Sequence, residues 1–349
     1  MSRSLRVTVL GSATPYPAAG NPCSGYLVEG GGVRVWVDAG SGTLGELRRY
    51  VGLDELDAVW ISHLHADHSA DLLTAYYGLL YADVRRDAPL PLFGPPGIAD
   101  RLAAFLTNGP TRSPIESAFD VVELFDGHRV RVGGLTLLSR RVEHGGLDAF
   151  GLRIDGSDAS DASDGRDARV ASGALDVCAA NSGGAGSARG AWGAWGAGSD
   201  GGDGSGDRDA SDGRGGRCGD AMGERGDGAP RDGVGAEGDP VSLVYSGDSA
   251  PCSSLVELAL GCQLFLCEAD GAGDGHHSPE EAGRTAAEAG VGRLLVTHVG
   301  PPIDPDEAVR RAATVFDGPV EYAGPGRTFT VTRRSRTRER TTTSPASSR

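Results

Sequence analysis

Three histidines and an aspartate fall within six residues, His63, His65, Asp67 and His68, directly after the apolar run Asp57-Ala58-Val59-Trp60-Ile61. These types at this spacing point to metal chemistry. Side chains two apart on an extended chain leaving a strand face the same way, so His63 and His65 can hold one ion between them. Asp67 and His68 follow once the chain turns, and can face a second ion beside the first. Two cations a few ångströms apart are what a water-activating or phosphodiester hydrolase needs to clamp attacking and leaving oxygens. A functionless histidine-rich loop is the plain alternative. It fits poorly, because buried neutral histidines usually occur singly and a dense cluster outside a low-complexity tract normally binds metal.

The elements that must carry these residues are legible as periodicities. Residues 5–10, 24–29 and 33–37 read as strands joined by Gly/Pro turns, followed by a helix-like stretch over 43–50. After the cluster, residues 71–81 carry Leu72, Leu73, Tyr76, Leu79 and Leu80 on one broad helical face, and 98–106 form a second helix. Residues 121–125, 128–132 and 135–142 are strand-like. Beyond a long tract of different composition, 241–245 and 263–267 are short strands of the buried kind, and Ser278-Pro279-Glu280-Glu281 is a helix start with cap, N1 proline and acidic first turn. A strand at 293–297, a helix at 306–316 and strands at 320–323 and 328–332 close the pattern. Strand runs mixed with helices predict an α+β domain of stacked sheets flanked by helices.

The tract between, residues 155–240, is rich in Gly, Asp, Ser, Ala and Arg and almost free of aliphatic side chains, so it cannot bury enough surface to offset ordering entropy. It is expected to be a disordered insertion in a single domain made of residues 1–154 and 241–332, with a basic disordered tail at 333–349. The remaining 263 residues of the 349 are ample for one core. The formal charge of −15 is uneven: the tract carries −9, the tail +5, and the folded part is left near −11. That balance speaks against a large polyanionic partner unless the tail supplies the contact. Six cysteines without a C-x-x-C pair make a disulfide framework unexpected. The chain shows neither a leader pattern nor a membrane span, and the expectation is a cytoplasmic protein with no membrane contact.

Further candidates lie just past strands: His144 after 137–142, Asp248 after 241–245, and His298 after 294–297. Such positions converge at one sheet edge although far apart in the chain. Singly, each histidine would more often be a strand-end residue of no catalytic role. Asp38, at a strand end before Ala39-Gly40-Ser41-Gly42, is either a helix cap or a support for the metal histidines. Glu268 could orient a neighbouring histidine, although an exposed strand-end glutamate is the simpler reading. His128, on a turn with Gly127, reads as a surface residue.

The order H-x-H-x-D-H, then His144, Ser246-Gly247-Asp248, and a strand ending at His298 resembles the metallo-β-lactamase superfamily over nearly all of the chain outside the tract and tail. The resemblance implies an αββα sandwich of two mixed sheets flanked by helices. It also implies two zinc ions, or manganese in their place. His63, His65 and His144 would bind one ion, Asp67, His68 and His298 the other, with Asp248 bridging; Asp67 would also be catalytic. β-Lactamases of this fold usually carry a cysteine where Asp248 stands. The aspartate instead resembles the ribonuclease Z-like phosphodiesterase branch, which places a histidine before a helix in a G-H-x-[ST] context. Gly275-His276-His277-Ser278 matches with His276 as the implied proton donor to the leaving oxygen, and a one-residue shift would move that role to His277.

Within this branch, ribonuclease Z proteins carry a structured arm that grips tRNA after the third-histidine region. Here that place holds the acidic tract, which would repel phosphates. V-Y-S-G-D-S, F-L-C-E-A, H-x-S-x-E-E-A-G and L-L-V-T-H are similar to small bacterial members, including atypical class II cyclic nucleotide phosphodiesterases. The expectation is therefore a zinc-dependent phosphodiesterase for a small substrate such as a cyclic nucleotide. A tRNA 3′-end endoribonuclease is the alternative, and a non-catalytic binding protein on the same fold comes third. A homodimer is compatible with this reading.

Overall fold

The computed structural model describes residues 4–82, 86–156, 240–271, 273 and 275–332. The tract and tail singled out in the sequence lie almost wholly outside them. The described chain forms two seven-stranded sheets. The first contains β1 (Ser4–Gly11), β2 (Gly25–Gly30), β3 (Val33–Ala39), β4 (Ala58–Trp60), β5 (Leu90–Gly94), β6 (Phe119–Glu123) and the returning β14 (Thr328–Thr332), in the order β14-β1-β2-β3-β4-β5-β6. The second contains β7 (His128–Val132), β8 (Leu135–Val142), β9 (Ala149–Gly156), β10 (Val241–Tyr245), β11 (Leu264–Ala269), β12 (Leu294–Val299) and β13 (Val320–Tyr322), in the order β13-β12-β11-β10-β9-β8-β7. Each is mixed: β14 to β3 and β7 to β10 pair antiparallel, β3 to β6 and β10 to β13 parallel.

Alternation along the strands explains why the sheets stack with helices outside. Val35 and Val37 of β3, Trp60 of β4, Leu243 and Tyr245 of β10 and Leu266 of β11 point into a core between the sheets. The intervening Trp36 and Val59 pack under α1 (Thr43–Leu47), α3 (Asp71–Tyr81) and α4 (Ile98–Leu106). On the other side Val244, Phe265 and Cys267 pack under α5 (Ser253–Ala259), α6 (Pro279–Glu288) and α7 (Pro305–Ala312). Central strands are thus apolar on both faces and read as continuous apolar runs. The four layers are those expected from the sequence, an α+β αββα sandwich.

Several details differ from the sequence reading. The first helix ends at Leu47 rather than at residue 50, and the turn that follows keeps hydrogen bonds from the Tyr50 and Val51 amides to the Leu47 carbonyl. β6 is displaced toward the N-terminus, leaving Phe125 half-exposed. β9 was not anticipated, and it carries Asp155 and Gly156, the first two residues assigned to the tract, in register with Ser242 and Val241. Its core residues Phe150, Leu152 and Ile154 do alternate, but their run merges into Gly/Asp-rich sequence. His128 is buried at the start of β7 and stacks on Phe125 with centroids 4.5 Å apart, so the surface assignment is wrong: its turn position hid the aromatic partner. Among the described residues no helix is long and apolar enough to cross a membrane.

Candidate metal centre and the histidine beside it

Apart from His276 and His277, which stand just before α6, the candidate site residues lie at or just beyond the C-terminal ends of β3, β4, β8, β10, β11 and β12. The sheets are tied together there: the Phe150 amide donates to the Ser62 carbonyl, and the Tyr26 and Thr297 hydroxyls lie 2.7 Å apart. His63, His65, Asp67 and His68 leave β4 on an extended segment that enters the single turn α2 (Ala66–Ser69), which separates the first two side chains from the second two.

Four ligand-like groups result among the described residues. Asp270, His276 and His298 form one and Asp248, Glu268 and His276 another; the remaining two share Asp248. In one, His63, His65, His144 and Asp248 place one donor atom each within 4.8 Å of one another; in the other, Asp67, His68, Asp248 and His298 do the same. His65 Nδ1 is 3.0 Å from His63 Nε2 and 3.2 Å from His144 Nε2. Asp248 Oδ2 is 3.7 Å from His63 Nε2, 3.2 Å from His68 Nε2 and 3.3 Å from His298 Nε2. Asp67 Oδ2 is 3.6 Å from His68 Nε2 and 3.8 Å from His298 Nε2.

These residues fit divalent cations on their own chemistry. His68 Nε2, His298 Nε2 and Asp248 Oδ1 are buried without a hydrogen-bond partner, an arrangement that is costly unless something else satisfies the lone pairs. Tetrahedral ligands with metal–nitrogen bonds of ~2.0–2.1 Å stand about 3.3 Å apart, close to the spacings observed. A nitrogen-rich set with a shared carboxylate suits zinc. The opposite ring edges are held as metal-binding imidazoles require. His68 Nδ1 is 2.7 Å from Asp38, His144 Nδ1 2.9 Å from the Gly275 carbonyl, His298 Nδ1 2.8 Å from Ser24 Oγ and His63 Nδ1 3.0 Å from Ser62 Oγ.

Asp38 caps no helix and faces His68 instead. It is fully buried and accepts from the Ser62 amide, Ser62 Oγ and the Tyr245 hydroxyl as well as facing His68, while α1 has no side-chain cap. Asp38 and His298 are the two non-glycine residues among those described with positive φ, 55° and 46°. Such backbone is strained and persists where surrounding bonds over-determine it. Burial alone would lower the His68 pKa, but the charges of Asp248 and Asp38 raise it well above the ordinary histidine value. His63, buried and facing other imidazoles, is held well below that value.

Glu268 is not exposed: it is fully buried at the end of β11, and its oxygens both lie 3.1 Å from His276 Nδ1. Burial pushes Glu268 up to about 7 despite the His276 hydrogen bond. For His276, burial acts against charge, but the Glu268 contact wins and lifts it to about 9. The His276 ring stands edge-on to His144 at 4.8 Å and parallel to His298 at 6.2 Å. His277 points elsewhere. It is fully buried between the Ser249 carbonyl and the Thr285 hydroxyl, and burial pushes its pKa down to about 4.

Sequence reasoning missed Asp270, which is buried, accepts from Thr14 Oγ1 at 3.1 Å and lies 3.9 Å from His298 Nε2. Its signal was its place two residues past Glu268 at a strand end. It also missed Ser24 and Ser62, for which no local pattern exists.

Residues 15–162 match the family model described as a beta-lactamase superfamily domain. Uncharacterized protein Rv1339 of Mycobacterium tuberculosis is 29% identical over 340 residues, 95% of this chain and 93% of the relative. A protein named ribonuclease Z from Myxococcus xanthus is also 29% identical over 340 residues, 94% of this chain and 97% of its own. The crystal structure of the metallo-beta-lactamase fold protein YhfI from Bacillus subtilis superposes with a TM-score of 0.63 at 22% identity, covering 94% of this chain and 99% of that one. The fold and these matches show what the chain is similar to, β-lactamase superfamily proteins, with the family model matching residues 15–162.

Proposed function

We propose that the protein is a zinc-dependent phosphodiesterase acting on a small substrate such as a cyclic nucleotide. The observation that carries this reading is the Glu268–His276 pair set against both ligand groups. An ester with an alkoxide leaving group needs a proton delivered as the P–O bond breaks, and a histidine kept protonated by a buried carboxylate is suited to that.

His63, His65 and His144 would hold one ion and Asp67, His68 and His298 the other, with Asp248 between them. Such ions supply Lewis acidity at the phosphate and lower the pKa of water. The chain's own groups do the rest. Asp38, Ser24 and Ser62 keep the imidazoles oriented, and Asp67 would take a proton from the attacking water. His276 gives its Nε2 proton to the leaving oxygen while Glu268 stabilises the charge at Nδ1.

A tRNA 3′-end endonuclease is the second reading, favoured by the M. xanthus relative's name. The test is turnover of the zinc-loaded full chain on cyclic AMP, an aryl phosphodiester and precursor tRNA side by side, with metal content measured. Two ions per chain and hydrolysis of the first two substrates are expected. Cleavage of precursor tRNA alone would replace this reading with the second, and hydrolysis of none would end both.

A further inference from the structure

Two buried tyrosines that the proposed chemistry leaves unused lie between the sheets, and each reaches from its own sheet to the other. Tyr245 ends β10 in the second sheet, and its hydroxyl donates to Asp38 Oδ2 on β3 of the first, 2.8 Å away. Tyr26, on β2 of the first sheet, has its hydroxyl 2.7 Å from Thr297 Oγ1, the residue before His298 on β12 of the second. The two rings pack on each other with centroids 5.0 Å apart.

Both ends of this pair serve the same donor set. Asp38 stands 2.7 Å behind His68 Nδ1, and Thr297 fixes the backbone from which His298 leaves at a φ of 46°. Ser24 adds a third tie, its hydroxyl on His298 Nδ1 and its amide donating to the Asp67 carbonyl. Asp67, His68, Asp248 and His298 are therefore held from both sheets, and all four are buried. The set of His63, His65 and His144 is built differently. His144 and His63 are backed by neutral oxygens, those of the Gly275 carbonyl and the Ser62 hydroxyl, and His65 is exposed. This set has one carboxylate, the shared Asp248, whereas Asp67 gives the buried set a second and Asp38 stands behind it as a third. Ligand charge and rigid support both raise affinity for a divalent cation, and losing one supporting partner typically costs roughly 10–100-fold.

We propose that Tyr26 and Tyr245 are positioning residues for the Asp67, His68 and His298 set and make it the tighter of the two cation positions. The His63, His65 and His144 set is the weaker, filled second and emptied first, so that a one-ion form precedes the two-ion form as zinc rises. This rests on the two-ion reading for the donor sets, but its readout is metal binding itself. Tyr245 acts through Asp38 and Tyr26 through Thr297; neither takes part in proton transfer.

The experiment starts from the full chain stripped of metal and adds zinc in competition with a chromophoric chelator of known affinity, following zinc per chain and aryl phosphodiester turnover together. The natural protein should show two classes of one ion each, separated roughly tenfold or more in affinity. His65→Ala, a change at an exposed position, should abolish the weaker class and leave the tighter one. Tyr245→Phe keeps the ring and removes the hydroxyl. It should weaken the tighter class roughly tenfold, and Tyr26→Phe should weaken it less, both in the natural protein and in His65→Ala. An unchanged weaker class in the two single variants separates positioning from a general loosening of the fold. One class of two equivalent ions, loss of the tighter class in His65→Ala, equal weakening of both classes, or zinc binding in Tyr245→Phe like that of the natural protein each overturns the proposal. Turnover judges the phosphodiesterase reading separately: two classes behaving as stated, with no aryl-ester hydrolysis at any zinc concentration, would end that reading and support this one.

Discussion

The ligand cluster and the Glu268–His276 pair lie side by side and use the same residue types, but their electrostatics are opposite. In the cluster, lone pairs converge and go unanswered: His68 Nε2, His298 Nε2 and Asp248 Oδ1 have no hydrogen-bond partner in the buried interior. In the pair, one carboxylate answers one imidazole, both oxygens lying 3.1 Å from His276 Nδ1. The first is an arrangement that a bound cation would satisfy; in the second the carboxylate raises the pKa of the imidazole. His277 shows that neighbouring position in the chain decides nothing, because one residue further on the imidazole is neutral and structural.

Breaking the cluster should have the largest effect. Asp248→Asn or His63→Ala should reduce turnover of both aryl and ribose phosphodiesters below about one thousandth, beyond the roughly 10–100-fold typical of losing a supporting residue. Elemental analysis of the purified variants should show metal lost in parallel, and chelation of the natural protein should reproduce the defect until zinc is restored. Retention of two ions by Asp248→Asn would remove it from the bridging position.

Breaking the pair should be selective. His276→Ala should slow hydrolysis of a ribose ester by roughly a hundredfold or more, spare an aryl ester within a few-fold, and leave metal content intact. Glu268→Gln should fall between natural protein and His276→Ala. Because Glu268 raises the His276 pKa and the acid must be protonated, activity on the ribose ester should fail at lower pH in Glu268→Gln than in the natural protein. Should His277→Ala show the selective pattern instead, the acid assignment moves by one residue.

His277 sharpens the contrast through stability. Its folded pKa, pushed down to about 4, is below the ordinary 6.5, so its contribution is fully present above about pH 6.5 and is lost as pH falls through 4. The full shift corresponds to about 3 kcal/mol. Denaturant midpoints in chelator, which excludes metal release, should fall over that window, and His277→Gln should flatten the fall. The smallest effect is expected from the acidic tract. Gly156 and Val241 are paired neighbours on adjacent antiparallel strands, so a two-residue hairpin turn in place of 157–240 should close β9 onto β10. Aryl-ester turnover within about twofold of the full chain would show that neither cluster nor pair depends on the tract.

The sequence by itself determined the strand and helix types, because core strands apolar on both faces and helices with caps and apolar stripes announce themselves locally. It also determined the density of ligand types at His63, His65, Asp67 and His68, which a six-residue stretch can express by itself. Assembly is another matter. That His144, Asp248 and His298 meet these four depends on strand ends at one edge of two sheets, which only the pairing order brings together. Asp38 could have been a cap or a support until Tyr245, distant in the chain, and Ser62 closed around it. His276 and His277 are chemically identical in the sequence. Only burial, with Glu268 on one side and Ser249 and Thr285 on the other, gives one a proton and denies it to its neighbour. Residue type sets which charges are available, and the dielectric and partners created by folding decide which are used.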